Sequence, residues 1–154
     1  MRRNRFPIKA IIALIFAIAC IVFLYLWISS WFSPERKAEN VLKSFYEYEQ
    51  NGQFASSWEL FHSEMQNKWD KSEYIQDRAH VFINHFGVDT FEFEYTEPVK
   101  LDTWKMSDQS PSLSNVYQFT VILGYESKYG YLEIQQPVYI TEEKENWVIL
   151  WDYN

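Results

Sequence analysis

The sequence predicts an α+β protein. Three amphipathic helices pack on the concave side of a curved antiparallel sheet of about four strands, behind one N-terminal transmembrane helix. Three observations carry this. A charge-free apolar run extends from Ala10 to Phe32. Apolar residues then recur at helical spacing as far as Ile83. From Val88 the period changes to two, and it stays there to the end of the chain.

In the run from Ala10 to Phe32, Ser29 and Ser30 are the polar residues. At about 1.5 Å per helical residue it spans roughly 34 Å, enough for a hydrocarbon core of about 30 Å. Arg2, Arg3, Arg5 and Lys9 precede it with no acid among them, and charges of mixed sign follow. The positive flank predicts a cytoplasmic stub over 1–9, an anchor over 10–32 and an outer domain over 34–154. The chain thus reads as a single-pass protein of the cell membrane, N-terminus inside and C-terminal domain outside. Ala17-Ile18-Ala19-Cys20 has the form of a signal or lipoprotein cleavage site. The apolar residues 21–28 follow where a mature start needs to be polar, which favours an uncleaved anchor.

The first outer helix is predicted over 34–51, capped by Ser33 with Pro34 in its first turn and stopped at Gly52. Its apolar positions are Ala38, Val41, Leu42, Phe45 and Tyr48. A second helix runs from Gln53 to about Trp69 on Phe54, Trp58, Phe61, Met65 and Trp69. A third starts at Ser72, carries Tyr74, Ile75, Ala79, Phe82 and Ile83, and runs out at His85-Phe86-Gly87. Phe91, Phe93 and Tyr95 alternate with Glu92 and Glu94 in the first strand, whose parity Val99 and Leu101 continue past Pro98. After a polar loop over 105–114, Tyr117, Phe119, Val121, Leu123 and Tyr125 share one face of the second strand. Leu132, Ile134, Val138 and Ile140 share a face of the third. A charged turn over 142–146 leads to the last strand, with Trp147, Ile149, Trp151 and Tyr153 on one side.

Charge and cysteine usage narrow the function. All 21 acidic residues lie beyond residue 32, against ten of the 14 basic ones, so the outer domain is strongly acidic. That excludes nucleic acid as the main partner, because its phosphates need a basic patch. The one cysteine, Cys20, lies in the apolar run, leaving the outer domain without a disulfide or a thiolate metal site. Disulfide-free outer domains are common in Gram-positive bacteria.

The stretch Asn51-Gly52-Gln53-Phe54-Ala55-Ser56-Ser57-Trp58-Glu59-Leu60-Phe61-His62-Ser63-Glu64-Met65, followed by Lys71-Ser72-Glu73-Tyr74-Ile75, resembles nuclear transport factor 2-like domains. The closing Glu145-Asn146-Trp147-Val148-Ile149-Leu150-Trp151-Asp152 is similar to the last strand of one subgroup, the N-terminal non-catalytic domain of low-affinity penicillin-binding proteins. The resemblance covers about residues 36–154 and implies a cone-shaped α+β domain. It also implies a place in the bacterial envelope, in wall assembly or in a secretion or conjugation channel. The chain departs from the penicillin-binding proteins in having no Ser-x-x-Lys, Ser-x-Asn or Lys-Thr/Ser-Gly, the motifs of the transpeptidase nucleophile and its helpers.

No catalytic, cofactor-binding or metal-binding residue is predicted. His80 and His85 are five apart, on different faces of a helix, and His62 stands apart from both. Strand parity puts no acid, base or nucleophile inside the cone, whose predicted lining is Trp58, Phe61, Phe91, Phe93, Tyr117, Phe119, Trp147 and Trp151. There is no G-x-G-x-x-G or P-loop. The first expectation is therefore a non-enzymatic, membrane-anchored interaction or scaffold domain with an envelope protein as partner, membrane contact through 10–32, and monomer or homodimer both open. The alternative is a module that holds an apolar or peptidoglycan-derived ligand in the aromatic cone. A small hydrolase or isomerase comes third and requires an ionisable group inside it.

Overall fold

The computed structural model describes residues 8–31, 33–81 and 87–153. The chain divides into two compact units, Met1–Arg36 and Lys37–Asn154. In the first, helix α1 (Ile8–Trp31) has exposed side chains throughout 11–27. The transmembrane helix expected over 10–32 has to be corrected: among the described residues, no helix is long and apolar enough to cross a membrane. Arg2, Arg3, Arg5 and Phe32, on which the stub and the far end of the anchor rested, lie outside the described residues.

Helix α2 (Pro34–Gln50) begins and ends as its sequence dictates. The Arg36 N–H donates to Ser33 Oγ at 3.3 Å. At the other end Gly52 takes φ +66, and the bonds from Gly52 N to Glu49 O and from Gln53 N to Tyr48 O close a Schellman motif. The buried stripe is Ala38, Leu42, Phe45, Tyr46 and Glu49 rather than one through Val41 and Tyr48. The helix is thus turned toward a carboxylate.

The single helix expected over 53–69 is two: α3 (Phe54–Glu59) and α4 (Ser63–Lys68). The break is a tertiary effect. Residues 60–62 bond in parallel to Ile149, with Ile149 N donating to Leu60 O at 2.8 Å and His62 N donating to Ile149 O at 3.0 Å. Helix α5 (Lys71–Ala79) starts one residue before Ser72, with Asp70 as its cap. Phe82, Ile83, His85 and Phe86 of the expected third helix lie outside the described residues.

The sheet has five antiparallel strands, not four: β1 (Glu92–Tyr95), β2 (Val99–Trp104), β3 (Leu113–Ser127), β4 (Gly130–Glu143) and β5 (Asn146–Trp151). The run read as one strand breaks at Glu97-Pro98, and its halves pair with successive parts of β3. The order is β1-β3-β4-β5, with β2 also on β3. Pro137 is tolerated within β4 because β5 reaches only to Val138↔Trp151. Since Ile149 bonds outward to 60–62, alternation aims the missing N–H of Pro137 to the side where β5 has already ended.

One face of the sheet packs Tyr117, Phe119, Val121, Leu123 and Tyr125 of β3 against the helices, with Phe45, Phe61, Met65 and Tyr74 buried opposite. The other face is not uniformly wet. Val116, Tyr139, Thr141, Val148 and Leu150 have the opposite parity and are also buried. The end of β2 and the residues after it lie over them: Trp104 stacks on Tyr139 at 3.9 Å between centroids, and Tyr153 N donates to O of the buried Met106. Met106, within the loop predicted over 105–114, thus belongs to the buried core, while most of that loop is exposed.

The β4–β5 hairpin turns on Lys144 and Glu145, with φ of 50° and 69° between the paired Glu143 and Asn146. This is a type I′ turn built from two residues that disfavour positive φ. Glu145→Gly should stabilise the domain by about 0.5–1 kcal/mol and raise Tm by roughly 2–6 °C, as read by thermal unfolding; an unchanged or lower Tm would contradict the turn assignment.

Candidate functional site

The principal buried polar cluster among the described residues is built by helices. The α2 stripe delivers Glu49, whose side chain has no exposed surface. α3 contributes Ser57, fully buried, and α5 contributes Tyr74 and Arg78 one turn apart. Ser57 Oγ and Tyr74 OH donate to Glu49 Oε1, the latter at 2.7 Å. Arg78 donates through Nε and Nη2 to Oε2. Four donors thus occupy the roughly four acceptor positions of one carboxylate.

The charges reach further. Burial works against the Arg78 charge, but the adjacent Glu49 and Tyr74 outweigh it and hold the guanidinium more firmly protonated than usual. Burial drives the Tyr74 phenol far upward, and the Glu49 charge adds to it. Tyr125 of β3 is pushed up to about 12, mainly by burial. Tyr46 is raised by burial as well, and its hydroxyl is buried without a hydrogen-bond partner. All these phenols remain neutral at physiological pH.

Beside the pair, Glu49, Gly52, Phe54, Ile75, Ala79, Val88, Asp89, Thr90 and Phe91 line a cavity of about 300 Å³. Gln50 closes α2 onto its far wall by donating from Nε2 to Phe91 O at 2.6 Å. On the other face of the sheet, Glu92, Glu94 and Glu133 surround a shallow groove over Gly124, and Tyr131 forms part of its wall.

Of the eight predicted lining residues, Phe91 alone is on the cavity wall. Phe61 packs on Phe45, Tyr74 and Trp151 at centroid distances of 5.1–5.2 Å. Phe93 stacks on Tyr46, and Phe119 lies against Tyr95. Tyr117 meets Trp147 at 5.7 Å, and Trp58 packs at the core margin with Nε1 donating to Trp69 O. The rings fill the space between helices and sheet with one another. His62 caps α4, His80 is exposed, and His85 lies outside the described residues. Among the described residues, no group of three or more His, Cys, Asp or Glu could hold a metal ion.

Strand parity misses Glu49 and Arg78 because both reach the interior from helices. The signal was present in the sequence: positions 38, 42, 45, 46 and 49 keep an unbroken helical stripe, and its last member is a glutamate. In comparisons with known proteins, no family model matches the sequence and no curated protein matches it.

Glu49→Leu strips Arg78 of its carboxylate and should cost about 3–5 kcal/mol of unfolding free energy in urea. Tyr46→Phe removes a buried hydroxyl with no partner and should be neutral or stabilising by about 1 kcal/mol. A loss above about 1 kcal/mol in Tyr46→Phe would show that this hydroxyl is bonded after all.

Proposed function

We propose that residues 37–154 form a non-enzymatic protein-interaction module, a scaffold for a partner protein of the bacterial envelope. The observation that carries this reading is the bonding of Glu49. Its oxygens are taken up by Ser57, Tyr74 and Arg78, so the buried carboxylate ties helices together instead of standing ready to move a proton. The ring-filled interior adds support, since a packed cone leaves the surface as the place for recognition. The resemblance to nuclear transport factor 2-like domains, and to the non-catalytic domain of low-affinity penicillin-binding proteins, points to wall assembly or a secretion or conjugation channel as the process served.

A second reading rests on the cavity of about 300 Å³ beside Phe54, Ile75, Ala79, Val88 and Phe91. Its volume is at the lower end of small-ligand pockets, and its wall is mostly apolar. An apolar ligand would lie there, outside the aromatic interior.

Photo-crosslinking of the full-length protein in cells, with probes at the exposed Glu133 and Asp152 and the half-buried Gln118, tests the first reading. One dominant envelope protein is the expected product. Recovery of self-links alone, or of no links, would count against the scaffold and leave the cavity as the site to pursue.

A further inference from the structure

The strand β5 is an edge of the sheet, and the segment 60–62 covers it. Two backbone bonds hold that segment, from Ile149 N to Leu60 O and from His62 N to Ile149 O, and the His62 ring adds a tie to α4. The ring Nδ1 accepts the Glu64 N–H at 3.0 Å, capping α4, while the backbone N–H of His62 donates to Ile149 O. A ring nitrogen that accepts carries no proton, so the neutral imidazole bears its proton on Nε2. Nε2 stands 4.0 Å from Glu143 Oε2. The same carboxylate accepts from Ser63 N at 3.1 Å and from Ser63 Oγ at 2.6 Å. The histidine is 6% exposed. The charged groups that face it are Glu143 and Lys144 on the β4–β5 hairpin and Glu64 on α4.

The geometry tolerates one protonation state. A second proton on the ring must go to Nδ1, the atom at which the Glu64 N–H points. Two donors then oppose each other, the cap is lost, and a positive charge sits at a helix N-terminus.

We propose that His62 is a pH-sensitive latch: the neutral ring caps α4 and steadies the backbone bonds of Leu60 and His62 to β5, and the imidazolium breaks the cap and loosens those bonds. Burial lowers the proton affinity of the ring, Lys144 acts in the same direction, and the opposing carboxylates of Glu143 and Glu64 do not overcome them. The folded ring therefore binds its proton at lower pH than the unfolded one, whose pKa is about 6.5. The stability this contributes is complete above about pH 6.5 and is lost as pH falls through the window below. Burial pulls the Glu143 carboxyl up, but the Ser63 bonds and the His62 and Lys144 charges hold it below its ordinary value.

Hydrogen exchange of the full chain at about pH 7.5 and about pH 5.5, corrected for intrinsic rates, tests the latch. The amides of His62, Glu64, Met65 and Ile149 should lose protection by several-fold, up to about tenfold, at the lower pH, while those in the β3–β4 ladder keep theirs. In His62→Asn, which can cap without titrating, the pH dependence at those amides should vanish. An equal loss in His62→Asn, or no loss in the unsubstituted protein, would overturn the proposal. If His62→Asn does not fold, the ¹⁵N shifts of the His62 ring decide. An Nε2-protonated tautomer titrating below about pH 6.5 supports the latch, and an Nδ1-protonated one, or a midpoint at or above about 6.5, refutes it.

Discussion

The carboxylate of Glu49 is the constraint on which the helical layer depends. A buried charge costs several kcal/mol unless it is paired and hydrogen-bonded, so its burial dictates where its partners must be. Ser57 fixes the position of α3 against α2, while Tyr74 and Arg78 fix that of α5. Three short elements that would be marginal as isolated helices acquire a defined arrangement from one side chain. Apolar packing around Phe45, Phe61 and Trp151 supplies the larger share of the driving force, but it is less selective about orientation.

The second organising constraint is the management of strand edges and faces. An unpaired edge invites association, and β5 avoids it by pairing with residues 60–62. That pairing interrupts a sequence that reads as one helix and produces α3 and α4 in its place. The opposite face of the sheet is treated in the same way. Trp104 stacks on Tyr139, and Met106 is buried with its carbonyl bonded to Tyr153 N, so the long strands β3 and β4 carry apolar cover on parts of both sides.

These devices bear on function by what they leave accessible. The interior has its charges paired and its space filled by rings. The surface retains an acidic character, with Glu92, Glu94 and Glu133 around the groove over Gly124. The buried polar groups hold that outside in shape.

The local periodicities were enough to determine an α+β chain with helices first and strands after, and the inward residues of β3, because a period of two admits one choice of face. The sequence also determined the caps at Ser33 and Gly52, whose chemistry is local. The membrane span read from residues 10–32 is not found among the described residues. Tertiary structure decided the rest. The split of 53–69 depends on Ile149, some ninety residues away in the chain, and the covered outer face depends on where the segment after β2 lies. The candidate site was legible only in part. Glu49 stands in a readable stripe, but that Arg78, Tyr74 and Ser57 converge on it follows from the packing of three helices, and no spacing within one helix encodes a meeting between them.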